Sequence, residues 1–194
     1  MLRKFVVMAL ISASSLFAVN KGMLNISDLD VEVSIAFDVG QFQEDYAIDT
    51  YFFGASFIDS ASGNGDAGNT LVSGNLLVIN DLPDKENVRL GFGVKLVSSS
   101  LNDENFMAIP LGAVLDVGIS NEDPTYWKSQ IFYAPGALSM KDARAYFEVR
   151  TGVHLEAIEN VRVFLEARGI YTSYLAQSKV TFNETFYGGI EVGF

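Results

Sequence analysis

The chain has 194 residues, a formal net charge of −11 from 13 basic and 24 acidic residues, and a pI of about 4.4. This charge disfavours nucleic-acid binding, because a protein that binds phosphates needs basic patches. The sequence has no cysteine, which excludes disulfides, thiolate metal sites and cysteine nucleophiles, and its single histidine excludes multi-histidine metal sites. Hydrophobic residues nevertheless make up 49% of the chain, so it must bury apolar side chains in a core or in lipid.

The first 18 residues have the pattern of a secretory signal peptide. Arg3 and Lys4 form a basic start, an apolar run extends from Phe5 to Phe17, and Ala18 is the predicted last residue before cleavage. The run is too short for a transmembrane helix, which needs about 20 residues. A buried N-terminal helix is the alternative. We therefore predict a signal peptide over 1–18 and one exported domain over 19–194.

From residue 30 onward, apolar and polar residues alternate with a period of two, which is typical of β-strands. Six segments show this clearly: Asp30–Val39, Asn87–Leu96, Phe106–Ile119, Ala145–Leu155, Val161–Tyr171 and Phe186–Phe194. Three more are strand-like but partly apolar on both faces: Tyr46–Ile58, Thr70–Asn80 and Tyr126–Ala134. In the first two we assign one face outward, which consists of Tyr51, Phe53, Ala55 and Phe57, and of Val72, Gly74, Leu76 and Val78. In the third, Trp127, Ile131 and Tyr133 oppose Lys128 and Gln130.

Alternating strands fit two architectures. In a soluble sandwich or a lipocalin-like barrel the apolar face points inward, whereas in an outer-membrane barrel it points outward to lipid and polar groups line the lumen. The polar face of this chain is crowded with glycines and with ionisable residues of both signs, as a narrow lumen requires. The predicted lumen charges are Arg89, Lys95, Glu148, Arg150, His154, Arg162, Glu166, Arg168 and Glu191. We therefore predict an all-β fold, an antiparallel up-and-down transmembrane β-barrel in the cell outer membrane.

The connections alternate in length, as in outer-membrane barrels with short periplasmic turns and longer external loops. The shorter ones are 40–45, 81–86, 120–125 and 156–160, and the longer ones are 59–69, 98–105, 135–144 and 172–184. Because such barrels have an even number of strands, residues 21–27 are predicted to add a tenth strand that turns near Asp28. Eight strands are the alternative, if a weak segment such as Tyr126–Ala134 lies outside the wall. Ten strands around a charged interior predict a plugged barrel or a narrow pore rather than a general porin.

Cross-strand charge pairing predicts the register of one hairpin. If Leu155 pairs with Val161, then Glu148 faces Arg168, Arg150 faces Glu166 and His154 faces Arg162. A shift of two residues in either direction places like charges opposite each other, which is unfavourable. The predicted pairs would fix the register, and independently solvated charges are the alternative.

Phe194 is the predicted assembly signal. Outer-membrane barrels commonly end in an aromatic residue on an amphipathic strand, which the outer-membrane assembly machinery recognises. The outer-membrane lipid and this machinery are therefore the predicted partners. Nucleic acid is not among them, and the oligomeric state is left open.

Several residues in about the last third of the chain carry a family resemblance. They are Tyr133-Ala134-Pro135, Leu138-Ser139, Asp142, Tyr146, Glu166-Ala167-Arg168 and the glycine-rich ending 188–194. In these positions the chain resembles the YfaZ family of outer-membrane proteins. Gly136 stands where the family is more often acidic, and Ala167 where tyrosine is expected, so the chain resembles a distant member. The resemblance implies an outer-membrane barrel and carries over no activity or functional residue.

We predict no catalytic, metal or cofactor site. His154 lacks the His-x-Ser spacing of outer-membrane enzymes, since Glu156 occupies that position, and its predicted role is hydrogen bonding inside the barrel. The acidic loop Asp59–Asp66 lacks the spacing of a calcium-binding EF-hand loop. The predicted function is a structural or interaction-bearing outer-membrane barrel, or a narrow pore with a charged lumen. The alternatives are a small outer-membrane enzyme acting on lipid and a soluble periplasmic barrel that binds an apolar ligand.

Overall fold

The computed structural model describes residues 21–28, 30–42, 49–60, 69–83, 85, 87–101, 104–119, 124–174 and 180–193. The predicted signal peptide, Phe194 and most of the acidic loop lie outside these residues. The strands are β1 Lys21–Ile26, β2 Asp30–Asp38, β3 Tyr51–Ser60, β4 Asn69–Asp81, β5 Val88–Leu101, β6 Glu104–Ala108, β7 Leu111–Gly118, β8 Thr125–Ala134, β9 Ser139–Lys141, β10 Ala143–Ile158, β11 Val161–Tyr174 and β12 Val180–Gly193. Two short 3₁₀ segments cover Val39–Phe42 and Gly136–Leu138. In this part of the chain, no helix has the length and apolar character needed to cross a membrane.

Ten of the strands, all except β6 and β9, form a closed antiparallel wall. Each pairs with its neighbour along the chain, and the wall closes where Lys21 and Ile26 of β1 pair with Gly193 and Gly188 of β12. The predicted all-β, up-and-down barrel of ten strands is therefore confirmed. The predicted tenth strand is β1, and the doubtful segment near 126–134 is β8, between β7 and β10.

The segment Phe106–Ile119, predicted as one strand, is interrupted at Ile109 and Pro110. Proline has no N–H group to donate to a sheet ladder. Its carbonyl oxygen instead accepts from the Lys95 amide at 2.9 Å, and the Ile109 amide donates to the Leu138 carbonyl oxygen at 2.8 Å. As a result, β7 pairs with β5 and β8, while β6 pairs with β5 and the short β9. The described residues of the predicted connection 98–105 are therefore strand, and so is half of the predicted connection 135–144.

The register predicted for the β10–β11 hairpin is wrong by two residues. Leu155 pairs with Val163 rather than Val161, and Arg150 pairs with Arg168. The five-residue turn that we predicted is in fact a two-residue turn, Glu159–Asn160, in which Asn160 has a φ of 64°. Asparagine tolerates this left-handed conformation better than most residues do. Both strands are therefore longer than predicted. An irregularity between Glu156 and Ile158 shifts the register just before the turn, so that Ile158 pairs with Val161.

The outer face of the barrel is apolar. Most of the large side chains that we assigned outward are exposed, for example Phe53, Val72 and Leu76 at 48–55%, and Trp127 and Ile131 are also exposed, at 45% and 48%. The inner face carries the buried residues, both charged and aromatic. The end of the barrel where β1 begins and β12 ends is called the terminal end below, and the opposite end is called the loop end.

Candidate functional site

Glu32 of β2 is the centre of a buried charge cluster. Arg150 Nη2 donates to both of its carboxylate oxygens, at 2.8 and 2.7 Å, and Arg168 Nη1 donates to Oε2 at 2.6 Å. Asn25 Nδ2 also donates to Oε2, at 2.6 Å. All four residues are buried. One carboxylate therefore holds two guanidinium groups in the middle of the lumen.

Glu148 binds a cation from the far side of the barrel. Lys95 Nζ of β5 donates to both Glu148 oxygens, at 2.9 and 3.0 Å, and lies 4.1 Å from the centre of the Phe132 ring. The Tyr146 hydroxyl donates to Glu148 Oε2 at 2.8 Å. The predicted pairing of Glu148 with Arg168 is therefore replaced by a contact across the lumen.

His154 and Glu166 extend the Glu32 cluster toward the terminal end. His154 Nε2 lies 2.9 Å from Glu166 Oε1, and its ring stacks on Phe164 with 4.7 Å between the centroids. Arg150 Nη1 lies 3.5 Å from Glu166 Oε2, which is a loose contact. The predicted pair of His154 and Arg162 does not form, because Phe164 is the cross-strand partner of His154.

A second carboxylate, Asp30, is linked to Arg168 through Tyr187 and Asn183. The Tyr187 hydroxyl donates to Asp30 Oδ2 at 2.9 Å, and Asn183 Nδ2 donates to the same oxygen. Arg168 donates to the Tyr187 hydroxyl and to Asn183 Oδ1, and its guanidinium lies 4.1 Å from the centre of the Tyr187 ring. These contacts hold Arg168 in place on both sides.

The remaining predicted lumen charges lie near the terminal end and are less buried. Glu191 binds Arg162 at 3.0 Å and Lys128 at 3.4 Å, and Arg162 also contacts Glu156 at 3.3 Å. Arg89 contacts Asp81 at 3.4 Å and does not join the central network. The structure thus brings four of the predicted residues together around Glu32, namely Arg150, His154, Glu166 and Arg168, and it places Lys95 and Glu148 in a second buried pair.

Sequence reasoning missed Asp30 and Glu32, although the signal was present. The predicted lumen set contained five cations but only three carboxylates. Buried charges need partners, so the missing negative charge had to come from another strand. The polar face of β2 carries both missing carboxylates.

Apolar side chains close the loop end of the lumen. We call this group the aromatic plug: Phe106, Tyr146 and Tyr174, packed with Ile58, Leu71, Val97, Ala108, Ala134, Ala143, Ile170 and Phe182. The Phe106 ring centroid lies 5.9 Å from that of Tyr146 and 6.2 Å from that of Tyr174. Each of the three rings is at most 1% exposed.

A cavity of about 170 Å³ occupies the terminal half of the lumen. Phe52, Leu77, Ile79 and Val114 give it an apolar wall, and its polar residues include Lys21, Asn75, Arg89, Asp116, Lys128, Arg150, His154, Glu166 and Glu191. Among the described residues, Asp116 Oδ1, Arg150 Nε and His154 Nδ1 are buried atoms without a hydrogen-bond partner. The cavity can therefore accept a molecule that carries both hydrogen-bond donors and acceptors.

No family model matches the chain, and no curated protein matches it. The part of the chain that the structure describes contains no group of three or more His, Cys, Asp or Glu side chains arranged to hold a metal ion. The assignment of function therefore depends on the barrel geometry.

Proposed function

We propose that this protein is an outer-membrane β-barrel with a plugged lumen, and that its role is structural or interaction-bearing. The observation that carries this proposal is the inverted distribution of side chains. Phe186, Leu165 and Phe92 point outward with 82%, 73% and 63% of their surface exposed, whereas Arg150 and Glu32 are buried inside. An extended apolar surface is unfavourable in water but is the ordinary lipid-facing surface of a membrane barrel.

The interior also favours a membrane barrel over a soluble carrier of apolar ligands. Such a carrier surrounds its ligand with apolar side chains, but here the middle of the lumen is a network of ion pairs. The predicted signal peptide and the resemblance to the YfaZ family support the same location. Family membership and recognition by the assembly machinery stay predictions.

A narrow pore is the second candidate, and the cavity at the terminal end favours it. In this structure, however, the aromatic plug and the Glu32 cluster occupy the rest of the lumen. Conduction would require these groups to move. Planar-bilayer recordings on refolded protein test this, and an unmodified barrel that conducts steadily would replace the plugged barrel with the pore.

Trp127 provides a direct test of membrane insertion, because it is the single tryptophan and lies on the outer face. Its Nε1 donates to Ser129 Oγ at 2.9 Å, so the indole can face lipid without an unsatisfied N–H. After refolding into vesicles, brominated lipid is expected to quench its fluorescence and aqueous iodide is not. A Trp127→Phe variant that carries Phe186→Trp should behave in the same way. Quenching by iodide alone at both positions would contradict the proposal.

A further inference from the structure

We propose that the cavity at the terminal end binds a small zwitterion with an apolar side chain, such as a free amino acid. This inference goes beyond the structural role of the barrel, because it assigns a solute to the lumen. It depends on the cavity alone, so it can fail while the membrane assignment holds. Three features of the cavity support it: a carboxylate oxygen without a hydrogen-bond partner, cationic donors that are only partly used, and an apolar wall.

Asp116 provides the carboxylate oxygen without a partner. Its register partners on the two neighbouring strands are Arg89 and Lys128. Both of these cations contact other carboxylates, since Arg89 contacts Asp81 at 3.4 Å and Lys128 contacts Glu191 at 3.4 Å. Asp116 Oδ1 has no hydrogen-bond partner among the described residues and is itself buried. A buried carboxylate oxygen of this kind requires a donor, and an ammonium group supplies one.

Lys128 and Arg150 provide cationic donors that are only partly used. Lys128 Nζ has three donors, and the one carboxylate that it contacts in the described structure is at the long distance of 3.4 Å. Arg150 is 5% exposed, and its Nε has no partner although both of its terminal nitrogens are bonded. These donors suit a carboxylate. Asp116 and Lys128 are direct cross-strand partners. Because the ammonium and carboxylate groups of an α-amino acid are attached to the same carbon, a single ligand can contact both side chains.

The third part is the apolar wall formed by Phe52, Leu77, Ile79 and Val114. It lies on β3, β4 and β7, so the same cavity offers charged groups and an apolar surface. The cavity volume of about 170 Å³ is far above the roughly 10–15 Å³ that one water molecule needs. A small side chain of the leucine or valine type can therefore fit beside the charged groups.

Four probes on the unmodified, refolded full-length chain test the proposal by calorimetry. L-Leucine carries all three features, N-acetyl-L-leucine lacks the ammonium, L-leucinamide lacks the carboxylate, and glycine lacks the apolar side chain. We expect L-leucine to bind at least about tenfold more tightly than each of the others. No binding of L-leucine up to about 10 mM, equal affinity for all four probes, or tighter binding of N-acetyl-L-leucine would each overturn the proposal.

Two variants assign the charged groups. Asp116→Asn should weaken L-leucine binding about tenfold and leave N-acetyl-L-leucine unaffected, and Lys128→Gln should weaken L-leucine binding while sparing L-leucinamide. Heat-dependent gel mobility and circular dichroism check that each variant is folded. If a variant fails to fold, the four probes on the unmodified protein still test the proposal. If the probes do not bind as expected but brominated lipid quenches Trp127, the ligand proposal is wrong and the membrane proposal still holds.

Discussion

Arg150 and Arg168 are direct cross-strand partners on β10 and β11, although both carry a positive charge. Like charges in this position normally destabilise a sheet. Here Glu32 accepts from Arg150 at 2.7 Å and from Arg168 at 2.6 Å, and all three side chains are buried. A carboxylate on a third strand thus makes this register acceptable. The pairing of β10 with β11 therefore depends on a residue of β2.

Substitution of Glu32 should strongly destabilise the barrel. Glu32→Gln would leave two buried arginines facing each other with one negative charge fewer, and removal of one partner from a buried ion pair costs about 3–5 kcal/mol. Urea unfolding of the refolded protein in detergent measures the change in the free energy of unfolding. The control is Glu156→Gln, since Glu156 is partly exposed and contacts Arg162 at 3.3 Å, and its loss should cost about 0–1 kcal/mol. Equal effects of the two substitutions would contradict the central role of Glu32.

The register of the same hairpin can be tested by disulfide formation, because the chain has no native cysteine. Thr151 is the partner of Ala167 in the structure. The register predicted from charge pairing would instead place Thr151 opposite Leu165. Cysteines at 151 and 167 should cross-link readily, since directly paired Cβ atoms lie about 4.5–5.5 Å apart. Cysteines at 151 and 165 should cross-link poorly, because diagonal neighbours lie about 7–8 Å apart, and the opposite ranking would restore the register predicted from sequence.

The sequence predicts the barrel well because the alternation of apolar and polar residues indicates which face of each strand points outward and which points into the lumen. It cannot reveal partners across the lumen. Glu148 and Lys95 lie 53 residues apart and meet because the wall closes, which local cross-strand pairing does not take into account. The break at Pro110 was missed for a related reason, since alternation continues through it while the hydrogen-bond partners change. The cavity likewise depends on how far residues from all ten wall strands reach into the lumen.

The inward glycines should resist substitution where another strand approaches closely. A Cβ at Gly152 would clash with the Leu165 carbonyl oxygen and lie 2.7 Å from Glu166 Cα. Backbone atoms cannot easily move aside, so Gly152→Ala should destabilise by about 1–3 kcal/mol. Gly188 is the control, because a Cβ there would meet Leu165 Cδ2 at an ordinary 3.8 Å. Thermal denaturation of both variants measures the difference, and an unaffected Gly152→Ala would show that the wall has more room than the structure indicates.

Removal of the aromatic plug should open the lumen at the loop end. Phe106 and Tyr174 pack edge to face with 6.2 Å between their centroids, and both are fully buried. The double substitution Phe106→Ala and Tyr174→Ala removes two rings, and a single aromatic-to-alanine change in a core costs about 3–5 kcal/mol, so the stability of the variant should be measured alongside its conductance. We expect ionic current through planar bilayers to exceed that of the unmodified protein. The matched control replaces Phe92 and Phe186 with alanine, because these rings lie on the outer face and their loss leaves the lumen unchanged. If the folded plug variant and this control conduct equally, the constriction lies elsewhere, and the Glu32 cluster becomes the next group to test.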